Sequence, residues 1–217
     1  MSPFLLAVIT RPLFFPGEAA CLEVLLAAGL ERLHLRKPGA TEDELEALLK
    51  QIDSRWYSRL VLHGSGDLQP LAVRYGIPQM HCPPGGLEAV KRGSGRPGLP
   101  GAGNSLALSA SLHSWEEIKE VKDAGLTYVF MSPVFNSISK RGYRATPGLL
   151  QRPPGPFPCK VLGLGGVDKD TIGELVREGW EGAAVLGWIW EDPDRAVQRY
   201  LQLKETIMKG NEKNNPL

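Results

Sequence analysis

The stretch Tyr128-Val129-Phe130-Met131-Ser132-Pro133-Val134-Phe135-Asn136-Ser137-Ile138-Ser139-Lys140 passes from an apolar run straight into small hydroxyl residues and one cation. The residues from Tyr128 to Met131 are too few for a helix and too apolar for a surface loop, so they read as a strand buried on both faces. Ser132-Pro133 ends it. Ser137, Ser139 and Lys140 then fall beyond the strand's C-terminal end, where parallel α/β proteins bind ligands. Two hydroxyls and a point positive charge suit an anion, and the alternative is a solvated loop with a surface lysine.

Working outward, the same pattern of short apolar run, turn and helix recurs along the chain. Phe4 to Ile9 reads as a first strand, followed by a helix carrying Leu22, Leu25 and Leu26 up to Gly29. Arg32 to Arg36 alternates Leu33 and Leu35 with His34 and Arg36, which aims the imidazole and the guanidinium to one side. Thr41-Glu42-Asp43-Glu44 is a capping box that opens the next helix. Leu60 to Leu62 forms a third strand and Leu68 to Tyr75 a short helix, while Gln79 to Cys82 forms a weak fourth strand. Pro83 to Gly103 is dense in Gly and Pro and reads as a loop with a brief helical segment at Leu87 to Lys91. Leu106 to Ala110 is strand five, and the capping box Ser114-Trp115-Glu116-Glu117 opens a helix through Ile118, Val121 and Ala124. Tyr143 to Pro158 is too rich in Pro and Gly for an ordinary helix, so the crossover after strand six is abbreviated or replaced by a loop. Lys160 to Leu164 and Gly182 to Leu186 are strands seven and eight, with a helix from Asp168 to Glu178 between them. Asp192-Pro193 places a cap before the last helix.

Eight strands alternating mostly with helices predict an α/β fold of the (β/α)8 TIM-barrel type, with a doubly wound sheet as the alternative. At 217 residues and 42% hydrophobic content one domain over residues 1–208 is expected, followed by a polar tail at 209–217. The net charge of +1 leaves no electrostatic footprint for nucleic acid or an anionic membrane, so a small molecule is the expected partner. Cys21, Cys82 and Cys159 form no C-x-x-C pair, which predicts reduced thiols and a cytoplasmic protein. No membrane-spanning run is present in the opening residues. A homodimer is left open.

Barrels of this kind hold phosphate in the loops after strands seven and eight, where Gly165-Gly166 and Gly187 lie here. The same glycines also fit a plain tight turn. His113 falls just beyond strand five, where an imidazole either moves protons near neutral pH or bonds a loop carbonyl. His34, His63 and His81 come near the ends of strands two, three and four, which invites a metal reading. No carboxylate accompanies them at ligand spacing, so no metal is expected there and they are assigned, with Ser111, to the substrate pocket.

The run Met131-Ser132-Pro133-Val134-Phe135-Asn136-Ser137-Ile138-Ser139-Lys140 resembles the signature of the thiamine phosphate synthase/TenI family, with Ser132 for its Gly, Ser137 for its Thr and Lys140 kept. Leu33-His34-Leu35-Arg36-Lys37, Ser111-Leu112-His113-Ser114 and Leu164-Gly165-Gly166-Val167 are similar to further stretches of that family, in the same order. The resemblance implies a (β/α)8 barrel acting on a small phosphorylated thiazole, with a pyrimidine pyrophosphate as second substrate in the synthases. Arg36, Ser137, Ser139 and Lys140 would then hold phosphate or pyrophosphate, and Gly165, Gly166 and Gly187 the thiazole phosphate.

Departures from the synthase pattern fall on its metal carboxylates. His63-Gly64 stands where the synthases carry Asn-Asp, and Pro83-Pro84-Gly85-Gly86 where they carry a second Asp. The TenI-like branch, which isomerises a thiazole carboxylate phosphate to its aromatic tautomer, shares these losses and places its catalytic histidine at the position of His113. A tautomerase needs no cofactor, whereas a synthase would need Mg²⁺. The leading expectation is therefore a TenI-like tautomerase, with an active thiamine phosphate synthase and a non-catalytic thiazole-phosphate binder as alternatives.

Overall fold

The computed structural model describes residues 4–64, 68–83, 106–136 and 144–214, side chains of the last two excepted. The strands β1 (Leu5–Ile9), β2 (Arg32–Leu35), β3 (Leu60–His63), β4 (Gln79–His81), β5 (Ala107–Leu112), β6 (Leu126–Met131), β7 (Lys160–Leu164) and β8 (Gly182–Val185) form a closed barrel in sequence order. Every neighbouring pair is parallel, and β8 returns to β1 with Leu5 opposite Gly182. This is the (β/α)8 barrel expected from the alternation, and closure leaves no sheet edge unpaired. Strand positions match the sequence reading to within one or two residues at each end.

Strand periodicity divides the side chains between two cores. Leu6, Val8, Leu33, Leu35, Leu60, Leu62, Val129, Met131, Val161 and Val185 point outward and pack beneath the helices in the larger core. Leu5, Ala7, Ile9, Tyr128, Phe130, Leu162 and Ala184 point inward and fill the barrel from the β6, β7, β8 and β1 side. Because both faces are covered, the strands are apolar at consecutive positions instead of alternating.

The helices are α1 (Glu18–Ala27), α2 (Glu42–Leu49), α3 (Gln69–Arg74), α4 (Glu117–Glu120), α5 (Ile172–Arg177) and α6 (Ala196–Asn214). Leu22, Leu25 and Leu26 of α1 are fully buried, each burial contributing about 1.5–3 kcal/mol before entropy. The capping box of α2 forms as its sequence demands: Thr41 Oγ1 accepts from the Glu44 backbone N–H at 3.2 Å and the Thr41 N–H donates to the Glu44 carboxylate at 2.8 Å.

Several elements differ from expectation. At the second capping box Ser114 Oγ accepts from the Glu117 N–H at 3.3 Å, but the Glu117 carboxylate accepts from the His113 N–H at 2.7 Å instead of closing on Ser114. That helix stops at Glu120 and does not reach Ala124, since Gly125 with φ 65° and the following strand pull the chain away. α5 begins at Ile172, not Asp168, because the Asp168 carboxylate turns back to accept from the Asp170 and Thr171 N–H groups at 2.8 and 2.9 Å. α6 runs through Asn214 into the segment expected as a polar tail. A 3-10 turn at Ser54–Arg59, capped by Asp53, precedes β3 and was not anticipated.

Residues 144–159 contain no helix, in line with the abbreviated crossover. The brief helix at 87–91 lies outside the described residues. Among the described residues no helix is long and apolar enough to cross a membrane.

Candidate active site

All the candidate residues that the structure describes gather at or just below the C-terminal ends of the strands. On the β2 to β5 side the barrel interior is polar. Arg32 and His34 of β2, His63 of β3, Gln79 and His81 of β4, and Ser109 and Ser111 of β5 project inward against the apolar β6 to β1 half. With its amide oxygen turned to the guanidinium, Gln79 accepts from Arg32 Nε at 3.1 Å and Nη2 at 3.2 Å, which seats this charge below the histidines.

Three imidazoles meet above that pair. His34 Nδ1 and His63 Nε2 are 2.8 Å apart and share one hydrogen bond, while the other nitrogen of His34 meets the Tyr128 hydroxyl at 2.7 Å. His81 stacks on His63 with ring centroids 4.2 Å apart and lies between two hydroxyls, Ser109 Oγ on Nδ1 at 2.9 Å and Ser111 Oγ on Nε2 at 3.0 Å. The spacing Ser109, Ser111 is the strand period, and the register that pairs Ser109 with Tyr128 brings β6 into the same network. That pairing depends on an irregularity in which Leu108 opposes Leu126 but Ser109 opposes Tyr128. The intervening Thr127 turns outward and donates to the Leu108 carbonyl at 2.9 Å.

Burial dominates the electrostatics of the cluster. Desolvation, joined by the like charges of neighbouring imidazoles, pushes His34 and His63 well below the ordinary histidine range. His81 is lowered to about 3 by desolvation and by the Arg36 guanidinium. Tyr128, buried beside them, is raised to about 12 by desolvation. The cluster is therefore a set of neutral donors and acceptors at neutral pH. Arg36 stands one residue beyond β2, half-buried, with its charge directed toward His63 and His81. Its backbone is held by Thr10, whose hydroxyl accepts from the Arg36 N–H at 2.9 Å.

His113 lies apart from the trio, one residue beyond β5 and exposed. Its Nδ1–H donates to the Ser132 carbonyl at 2.7 Å and its backbone N–H to Glu117. The carbonyl bond of the structural alternative is thus present, and Nε2 has no hydrogen-bond partner among the described residues. The residues that anchor it also brace the glycine turn. Val134 and Phe135 N–H groups donate to the Leu164 and Gly165 carbonyls, each at 3.0 Å. Gly165 and Gly166 have φ of 96° and 66°, and a Cβ on Gly165 would come within 2.8 Å of Pro133 Cβ and 3.4 Å of Ser132 Oγ. A Cβ on Gly166 would strike the Asn136 carbonyl. Both glycines are required by the turn itself, whatever it binds. Gly187 sits half-buried in the turn after β8, its carbonyl accepting from the Trp190 N–H at 3.2 Å. Ser137, Ser139 and Lys140 lie outside the described residues.

Sequence reasoning passed over Ser109, Tyr128 as a polar group, and the Lys37–Glu18 pair. Ser109 could have been found from its parity with Ser111, whereas Lys37 carried no local signal. Its ammonium is buried against the Glu18 carboxylate at 2.5 Å and donates to the Arg11 and Leu13 carbonyls at 3.0 and 3.2 Å. These contacts tie the loop after β1 to the loop after β2 and leave Lys37 no freedom to meet a substrate.

A Mg²⁺ ion asks for several oxygen ligands, chiefly carboxylates and water. The position where the synthase pattern carries Asn-Asp presents the His63 imidazole instead, and nitrogen donors surround it. At this position the described residues do not fit Mg²⁺.

Among curated proteins, the chain is 28% identical to the thiamine-phosphate synthase of Bacillus velezensis over 102 residues, 44% of this chain and 45% of that protein. It is 25% identical to the thiamine-phosphate synthase of Methanoregula boonei over 192 residues, 86% of this chain and 84% of that protein. The match with the Bacillus velezensis protein thus spans about half the length of that relative. Among solved structures, thiamine phosphate pyrophosphorylase from Bacteroides thetaiotaomicron superposes with a TM-score of 0.71 at 27% identity, covering 94% of this chain and 97% of the other. The family model described as thiamine monophosphate synthase (TMP-TENI) matches residues 6–189, nearly the whole barrel, and the chain belongs to that family.

Proposed function

We propose that the protein is a TenI-like tautomerase that moves one proton on a phosphorylated thiazole carboxylate. The observation that carries this reading is the setting of His113. One ring nitrogen is fixed by the Ser132 carbonyl, the other has no partner among the described residues, and Ser132-Pro133 packs on the Gly165-Gly166 turn assigned to the substrate phosphate. A single segment thus aims the base and braces the anion loop. In the proposed reaction Nε2 accepts a proton from a ring carbon and returns it to the conjugated carbon of the same molecule. One C–H bond breaks, another forms, and no electrons leave the substrate. Gly165, Gly166 and Gly187 hold the phosphate, and Arg36, Ser137, Ser139 and Lys140 supply hydroxyls and positive charge to the anionic groups.

The synthase activity named for the relatives is the competing reading, and Arg36, with its charge at the rim of the cluster, favours it as a pyrophosphate ligand. Condensation of pyrimidine pyrophosphate with thiazole phosphate would require a leaving group stabilised by metal or by several cations. The deciding experiment follows tautomerisation by ultraviolet absorbance or NMR for wild type and His113→Asn, with and without Mg²⁺. The expected result is turnover independent of Mg²⁺, lowered about 10²- to 10⁴-fold by the substitution with ligand affinity retained. Wild-type turnover that survives in His113→Asn refutes the role of that residue. Mg²⁺-dependent condensation of the two precursors moves the protein to the synthases, and binding without turnover makes it a thiazole-phosphate binder.

A further inference from the structure

The histidine cluster has features that the proton-transfer reading leaves unused. Ring nitrogens of His34, His63 and His81 lie within 4.8 Å of one another on three adjacent strands. A tetrahedral zinc-type ion, with metal–nitrogen bonds of about 2.0–2.1 Å, separates its ligand atoms by roughly 3.3 Å. The His34–His63 contact of 2.8 Å would open slightly, the longest separation would close by about 1.5 Å, and His63 and His81, stacked with centroids 4.2 Å apart, would turn out of their parallel arrangement so that both lone pairs meet one ion.

Two of the three outer nitrogens are already engaged, as in metal-bound histidines, which pass their second N–H to a fixed acceptor. Ser109 Oγ donates to the Met80 carbonyl at 3.4 Å and so accepts from His81 Nδ1–H, which makes Nε2 the acceptor of the Ser111 hydroxyl at 3.0 Å, a bond that an ion on Nε2 would displace. The Tyr128 oxygen stands 2.7 Å from His34 Nε2, leaving His34 Nδ1 turned to the shared space. His63 Nδ1 has no partner among the described residues, and this half-buried ring is the one nearest solvent.

From this arrangement we propose that His34 Nδ1, His63 Nε2 and His81 Nε2 bind one divalent transition ion of the zinc class, with water as the fourth ligand. Imidazole ligands select such ions over Mg²⁺ and Ca²⁺. The site sits below Arg36 and is separate from His113, so it stands whether or not the tautomerase reading does.

The test uses the full chain stripped of metal, with no thiazole present. Zn²⁺ is titrated calorimetrically, and Co²⁺ is followed by its visible absorption, whose intensity reports four-coordinate geometry. One equivalent per chain is expected, unaffected by excess Mg²⁺. His63→Ala, and His63→Gln should the smaller side chain unsettle the strand, lower affinity by more than the roughly 10- to 100-fold that loss of an outer hydrogen bond costs; Tyr128→Phe falls within that range. His113→Ala and Cys21→Ser bind like wild type. X-ray absorption on the wild-type zinc complex should show nitrogen and oxygen neighbours without sulfur. The proposal is overturned by absence of stoichiometric binding, by unchanged affinity in both His63 variants, or by sulfur in the first coordination sphere.

Discussion

Acidification should destabilise this barrel earlier than its carboxylates would. His81 carries the argument because it is 4% exposed and lowered from the ordinary 6.5 to about 3. Between those values the unfolded chain binds a proton at this position and the folded chain does not, so stability is complete above 6.5 and is lost as pH falls toward 3. Each pH unit in that window costs about 1.4 kcal/mol, hence about 2 kcal/mol from this ring by about pH 5. His34 and His63 are shifted in the same direction for the same reason and add to the loss. Urea unfolding of the metal-stripped protein at about pH 7.5 and about pH 5 measures the difference directly, and His81→Gln should reduce it by about 2 kcal/mol. Equal stability at the two pH values, or a His81 proton resonance titrating near 6.5, would refute the account of a neutral, desolvated cluster.

Two other perturbations bear on the frame of the site. Gly166→Ala should destabilise the fold by about 1–3 kcal/mol, since the residue holds φ of 66° and the new Cβ would strike the Asn136 carbonyl and approach Phe135 Cβ at 2.7 Å. Denaturant midpoints check this, and an unchanged midpoint would mean that the turn relaxes freely. Lys37→Met, which leaves Glu18 buried and unpaired, should cost on the order of 3–5 kcal/mol, whereas Lys37→Met with Glu18→Leu should recover most of it. A double variant as unstable as the single one would show that the hydrogen bonds to the Arg11 and Leu13 carbonyls matter more than the ion pair.

The barrel was legible in the chain because its determinants are local. Short apolar runs of fixed length, the Thr41 capping box and the glycines at positions 29 and 165 each act within a few residues, and each was met in the structure. The placement of His113 beyond β5 and of Gly165-Gly166 beyond β7 followed from the same local grammar. Helix length was less legible. Ser114 and Glu117 announce a start for α4, but its end depends on how the chain must rise to enter β6.

What the sequence by itself determined is the order and type of the elements, since hydrogen bonding along a helix and alternation along a strand are set by neighbours in the chain. Only the tertiary structure decided that His34, His63, His81, Ser109 and Tyr128 are one group. Barrel closure and strand register bring together residues as far as 94 positions apart, and the offset opposite Thr127 puts the Tyr128 hydroxyl against His34. Desolvation then makes those rings neutral, a property that no single strand possesses before the barrel closes around it.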